Sequence, residues 1–235
     1  MLVITSNIKY PRKLRGVFLQ NTKCYAIIAH MEKKIQKVLN DLHQILDQAV
    51  GPNNRAEYMR EISVQGIHWH FSLSADDIIN KKVPKRVIGC TGVAKLFCKL
   101  ATDAGLKCMA VCTAYEPDWR AVRHGDKRVV SGHQVIAVEI DGCLRMFDPG
   151  RKELKFIDTD VTPGNLVDFK FPDRKGMYLI TAIMEPSDYA KIDSYQKLFN
   201  VYASGDMNNP KFVIKPNYKK DVGQLKNILS RIFKR

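Results

Sequence analysis

Two alternating apolar runs, Gln134–Ile140 and Cys143–Phe147, flank the dipeptide Asp141-Gly142. An Asp-Gly pair in that setting is the strongest short-range signal for a two-residue β-hairpin, because both central residues must take positive φ. Such a turn pairs Ile140 with Cys143 and sets Val135 opposite Asp148. His133 lies two residues before Val135, and side chains along a strand alternate between faces, so the imidazole and the Asp148 carboxylate are diagonal neighbours on one face. That face also carries Val135, Ala137, Leu144 and Met146. Alone, His133 and Asp148 make a weak surface pair at the open end of a hairpin. Beside a nucleophile they become a base and the acid that orients it.

A candidate nucleophile stands in the segment Gly89-Cys90-Thr91-Gly92-Val93. Cys90, Val93, Phe97, Leu100 and Ala104 recur at helical spacing, and Gly105 supplies a C-cap, so a helix is expected from about Cys90 to Ala104. Cys90 then occupies the first turn, on the inward side, where unsatisfied N–H groups and the positive end of the helix dipole favour negative charge. Gly89 and Gly92 are expected to let a substrate backbone approach. Packing of Val93, Phe97 and Leu100 on the Val135/Ala137 face of the hairpin would bring Cys90 to His133.

The remaining chain supplies a scaffold. Residues 1–24 are basic, contain Pro11 and read as a strand or extended arm. Met31, Ile35, Val38, Leu42, Ile45 and Ala49 mark a long amphipathic helix from about Tyr25 to Val50, stopped by Gly51-Pro52. Ser74-Ala75-Asp76-Asp77 matches a capping box opening a short helix. Further strands are expected over Cys108–Ala114, about Leu154–Ile157 and Met177–Met184. One helix is expected from Pro186 to about Ala203 and a last basic one from about Asp221 to Lys234. The apolar stripe of that last helix, Val222, Leu225, Ile228, Leu229, Ile232 and Phe233, is expected to cover the protein's own core. Helices followed by a run of strands argue for an α+β fold with an antiparallel sheet. The division is a catalytic domain over 1–205 and a basic tail helix over 206–235.

Charge and cysteine usage narrow the classes. A net charge of +14 favours anionic partners, but the excess is dispersed and no nucleic-acid motif accompanies it, so solvated basic faces with at most weak anionic partners are expected. The six cysteines form no dense disulfide framework, and most lie in apolar runs as reduced thiols. With no signal-peptide pattern and no apolar run long enough to span a bilayer, the expectation is a cytoplasmic protein. His68-Trp69-His70 and the Cys108/Cys112 pair give no four-ligand set of zinc-like spacing, and no calcium loop is visible, so neither metal nor cofactor is expected.

The helix motif at Cys90, running through Gly105 into Lys107-Cys108-Met109-Ala110-Val111, resembles the catalytic-cysteine helix of the transglutaminase-like superfamily. The block Gly132-His133 to Asp148-Pro149, with its acidic-Gly turn, resembles that family's second and third motifs in the same order. The resemblance covers roughly residues 86–150. The chain departs from the family at Gln134-Val135-Ile136, where an aromatic residue often follows the His, and at Thr91-Gly92 after the Cys.

The resemblance implies a papain-like core and thioester chemistry, with Cys90 as nucleophile, His133 as proton shuttle, Asp148 fixing the imidazole, and the Cys90 backbone N–H in the oxyanion hole. Gln65 and Trp69 are candidates for a further oxyanion donor. The implied activity is that of a cysteine peptidase or amidase on a protein or peptide substrate. A transglutaminase or deamidase, and a non-enzymatic basic binding module on the same fold, are the alternatives.

Overall fold

The computed structural model describes residues 12–49, 72–80, 88–123, 130–171 and 176–205, with side chains in the first helix from residue 26 to 48. The elements in chain order are α1 (Arg12–Ala49), α2 (Ala75–Ile79), α3 (Cys90–Asp103), β1 (Cys108–Tyr115) and α4 (Glu116–Arg123). They continue with β2 (Gly132–Ile140), β3 (Cys143–Phe147), β4 (Phe156–Ile157), β5 (Leu166–Val167), β6 (Tyr178–Met184), α5 (Pro186–Tyr189) and α6 (Tyr195–Ser204). The fold is α+β: six strands form one antiparallel sheet in the order β4-β3-β2-β1-β6-β5, with helices packed against it.

The hairpin forms as its residues dictate. Ile140 pairs with Cys143, and Asp141 and Gly142 take φ of 51° and 76°, the positive values a tight primed turn requires. α3 closes in a Schellman arrangement: Gly105 at φ 67° donates to the Thr102 carbonyl and Leu106 to that of Ala101. The capping box at Ser74 is present in both directions, Asp77 N–H to Ser74 Oγ at 3.0 Å and Ser74 N–H to Asp77 Oδ2 at 3.1 Å.

Two hydrophobic cores lie on opposite faces of the sheet. The larger unites α1, α3 and α6 with Cys108, Ala110, Cys112 and Ala114 of β1 and Ile136, Val138 and Ile140 of β2. The smaller gathers Val111, Val135, Ala137, Met146, Val167, Phe169, Tyr178 and Ile180. α3 therefore packs on the opposite face from the expected one. Ala110, Ala114 and Ala182 keep the larger-core face low enough for helices to settle on it, and Phe97 meets Phe147 edge-on at 5.2 Å.

Three further expectations change. The first helix begins at Arg12, so the basic segment from that residue on is helical rather than extended. Along α1 the buried stripe is Ile35, Val38, Leu39 and Leu42, and Gln36 pins the segment after Asp148 by accepting from Leu154 N–H and donating to the Lys152 carbonyl, each at 2.9 Å. The helix expected from Pro186 to Ala203 is two helices, because Ser194 caps a new start by accepting from Lys197 N–H. Lys95 stabilises the break by donating to the Ile192 carbonyl at 2.6 Å. α4 and β5 were not expected. The segments holding Gln65, His68, Trp69, His70 and the tail helix over 206–235 lie outside the described residues. No helix among the described residues is long and apolar enough to cross a membrane.

Candidate active site

Cys90 is the first residue of α3. Its N-cap, Gly89, provides no side-chain hydrogen bond, so the first-turn N–H groups next to Cys90 are left without a side-chain cap. Gly92 serves packing rather than substrate access: a Cβ there would come within 2.5 Å of the Ile88 side chain.

His133 and Asp148 meet at the open end of the hairpin. Regular β2–β3 pairing stops at Ile136–Phe147, leaving residues 132–135 as a lip without a β3 partner in the register. His133 Nε2 lies 3.0 Å from Asp148 Oδ2, with the two side chains 16 % and 11 % exposed. Asp148 Oδ1 accepts the Gly150 N–H at 2.9 Å. Arg151 stands 3.9 Å from Asp148 Oδ2 and also donates to the Phe169 carbonyl. The imidazole is wedged edge-on against Phe169 and Phe171, with centroids 5.2 and 5.0 Å away. Its backbone is fixed too: Thr113 Oγ1 donates to the His133 carbonyl, and Asp118 Oδ2 accepts from Ser131 N–H.

The third residue comes from the other side of the sheet. Cys90 Sγ donates to Gln134 Oε1, the residue after His133 on β2, and lies near enough to the imidazole to act on it. Asp148 occupies Nε2, so Nδ1 is the ring nitrogen left for the thiol. Burial works against the charged imidazole. Hydrogen bonds to Asp148 and Cys90, and their negative charge, outweigh it and raise His133 from 6.5 to about 9. Burial likewise opposes the Asp148 carboxylate, but the hydrogen bond to His133 prevails and lowers it. An imidazole raised in this way, beside a sulfur at a helix N-terminus, is equipped to hold the proton that the thiol gives up and to pass it to a leaving group.

His133 and Asp148 are thus brought into direct contact, Cys90 is bonded to the neighbouring Gln134, and four neighbours escaped the sequence reading. Phe169 and Phe171 could have been found from the alternation Val167-Asp168-Phe169-Lys170-Phe171. Gln134 and Tyr202 carry no local signal, since their contact links a strand to the last described helix. Gln134 Oε1 accepts from Cys90 Sγ at 2.6 Å and from Thr91 Oγ1 at 3.2 Å, and its Nε2 donates to the Tyr202 hydroxyl. A cleft of about 530 Å³ opens beside Asp148, lined by Arg151, Lys155, Phe156, Leu166 and Phe169 among others; neither Cys90 nor His133 lines it. Among the described residues, no three His, Cys, Asp or Glu side chains cluster to hold a metal ion.

In comparisons with protein families, curated proteins and solved structures, nothing matches this chain.

Proposed function

We propose that this protein is a thiol acyl-transfer enzyme of the transglutaminase-like, papain-like type, acting as a cysteine peptidase or amidase on protein or peptide amides. The observation that carries the reading is the His133 Nε2–Asp148 Oδ2 hydrogen bond at 3.0 Å, beside a Cys90 that opens a helix and helps to raise the imidazole. The Cys90 thiol proton passes to His133 Nδ1, and Sγ attacks the acyl carbon. Charge develops on the acyl oxygen beside the open N–H groups of the α3 first turn. The imidazolium then gives its proton to the departing amine as the C–N bond breaks, leaving a thioester on Cys90. Water, deprotonated by His133, attacks the thioester, releasing the acid and returning the proton to sulfur. Asp148 holds the ring throughout and stays ionised.

An acyl-group probe with a thiol-reactive electrophile, followed by assay of peptide and glutaminyl amides, tests this reading. Probe adducts at Cys90 and amide turnover that both vanish in Cys90→Ala support it. Turnover unchanged in Cys90→Ala refutes it, and absence of any adduct leaves the basic binding module in its place.

A further inference from the structure

Cys90 has two partners on consecutive residues of β2. His133 packs on Phe169 and Phe171 beside the smaller core, while Gln134, on the other face, takes the sulfur directly; Cys90 acts on His133 through its charge and hydrogen bonding. The thiol has one proton, and in this structure it is donated to the Gln134 amide oxygen. That amide is 1 % exposed and held from behind. Thr91 shares its oxygen, and its nitrogen donates to Tyr202, a residue 2 % exposed whose ring presses where Gly132 lacks a side chain. A Cβ on Gly132 would collide with that ring and stand 2.6 Å from the Thr113 carbonyl oxygen.

This arrangement suits a neutral thiol only. Once the proton has moved to His133, the amide oxygen would face a sulfur anion with no hydrogen between them, at a buried position where such repulsion is weakly screened. A half-turn of the carboxamide removes the conflict. Nε2 then donates to the anion, and Oε1 accepts from the Tyr202 hydroxyl, which can donate as readily as it accepts. Thr91 Oγ1, 3.2 Å from that end of the carboxamide, then accepts the second Nε2 hydrogen, so every polar atom of the carboxamide keeps a partner.

We infer that Gln134 is a fourth catalytic residue: its carboxamide accepts from the neutral thiol and, turned over, donates to the thiolate, with Tyr202 as the positioning residue that makes both orientations possible. The inference rests on Cys90 being the acyl-transfer nucleophile. It assigns to Gln134 a share in setting the pH at which Cys90 becomes reactive.

The test is the pH profile of Cys90 alkylation by iodoacetamide, in which the S–C bond forms as iodide leaves, read by peptide mass spectrometry on folded protein. Gln134→Met keeps the length of the side chain and removes the donor, and its profile should move up by about one pH unit. Gln134→Glu should move it further, because an acid there adds negative charge. Tyr202→Phe, which keeps the ring, should cause a smaller shift in the same direction and covers the case in which a Gln134 variant does not fold. An unchanged or lowered midpoint in these folded variants overturns the inference. His133→Ala reports separately on the acyl-transfer reading: if it shifts the profile and the Gln134 and Tyr202 variants do not, the reading survives and the role of Gln134 falls. Shifts in those variants with none in His133→Ala would leave Gln134 in control of the thiol and remove the acyl-transfer reading.

Discussion

Asp148 grips His133 across the open end of a hairpin, 3.0 Å from Oδ2 to Nε2, while the other carboxylate oxygen is held by the backbone N–H of Gly150. The carboxylate is thus fixed from both sides before any substrate arrives. Asp148→Asn preserves the shape and the Gly150 contact but supplies an amide that disturbs the ring's tautomer. On the acyl-transfer reading, turnover is expected to fall by on the order of 10³–10⁴-fold, as when a catalytic triad loses this acceptor, with the melting temperature little changed. Activity retained within about tenfold would detach Asp148 from the chemistry.

Selective alkylation follows from access and from the neighbouring base. At pH near 6 an ordinary exposed thiol is well under 1 % ionised. Cys143 is exposed but sits beside the turn, whereas Cys98 and Cys112 are buried, with Cys98 raised by its hydrogen bond to Cys108 and by burial, and Cys112 raised by burial. Iodoacetamide at that pH is expected to label Cys90 first, and His133→Ala to slow that labelling. Equal or faster labelling of Cys143 would count against an activated Cys90.

Folding should feel the His133 interactions through pH. The folded-state value is raised from 6.5 to about 9, so their stabilisation is complete below about 6.5 and disappears as pH rises towards 9. The stability lost in His133→Ala should therefore shrink across that window by a few kcal/mol at most. Chemical denaturation at a series of pH values measures it, and a gap that stays flat or widens contradicts the expected protonation.

Lys95 predicts the opposite slope. Buried at 6 % exposure, it donates to the Leu73 and Ile192 carbonyls, and desolvation, opposed by Asp193, lowers it from 10.5 to about 8. Between those values the unfolded chain holds a proton that the folded one has released, so wild type should gain stability relative to Lys95→Met as pH rises from 8 to 10.5. Denaturation curves for the two proteins that run parallel over that range would mean that the Lys95 ammonium is not shifted.

The hairpin and the start of α3 were legible because their signals are local. Asp141-Gly142 fixes the register within a few residues, and the Cys90 and Gly105 ends of the helix are written in adjacent positions. The face on which α3 docks was not legible, because it depends on small residues such as Ala110 and Ala182 that meet only once distant strands have paired. The interruption after α5 was obscured for another reason. Ile192, Tyr195, Leu198 and Tyr202 keep a helical apolar rhythm across it, and the Ser194 cap that restarts the helix competes with that rhythm. Gln134 registered in the sequence only as part of a departure from the motif that follows the His, and its contacts require α3 and α6 to be in place.

The Cys90 sulfur is anchored in one oily layer and the His133 imidazole beside another, on the two faces of one sheet. A ruler laid from Cys90 to His133 is therefore a gauge of how the two layers are aligned, and it should read wrong before either layer melts. On gentle heating, the reactivity that the acyl-transfer reading expects of Cys90 should fade ahead of the far-ultraviolet dichroism. Coincident loss of the two signals would mean that both layers and the sheet come apart as a single cooperative unit.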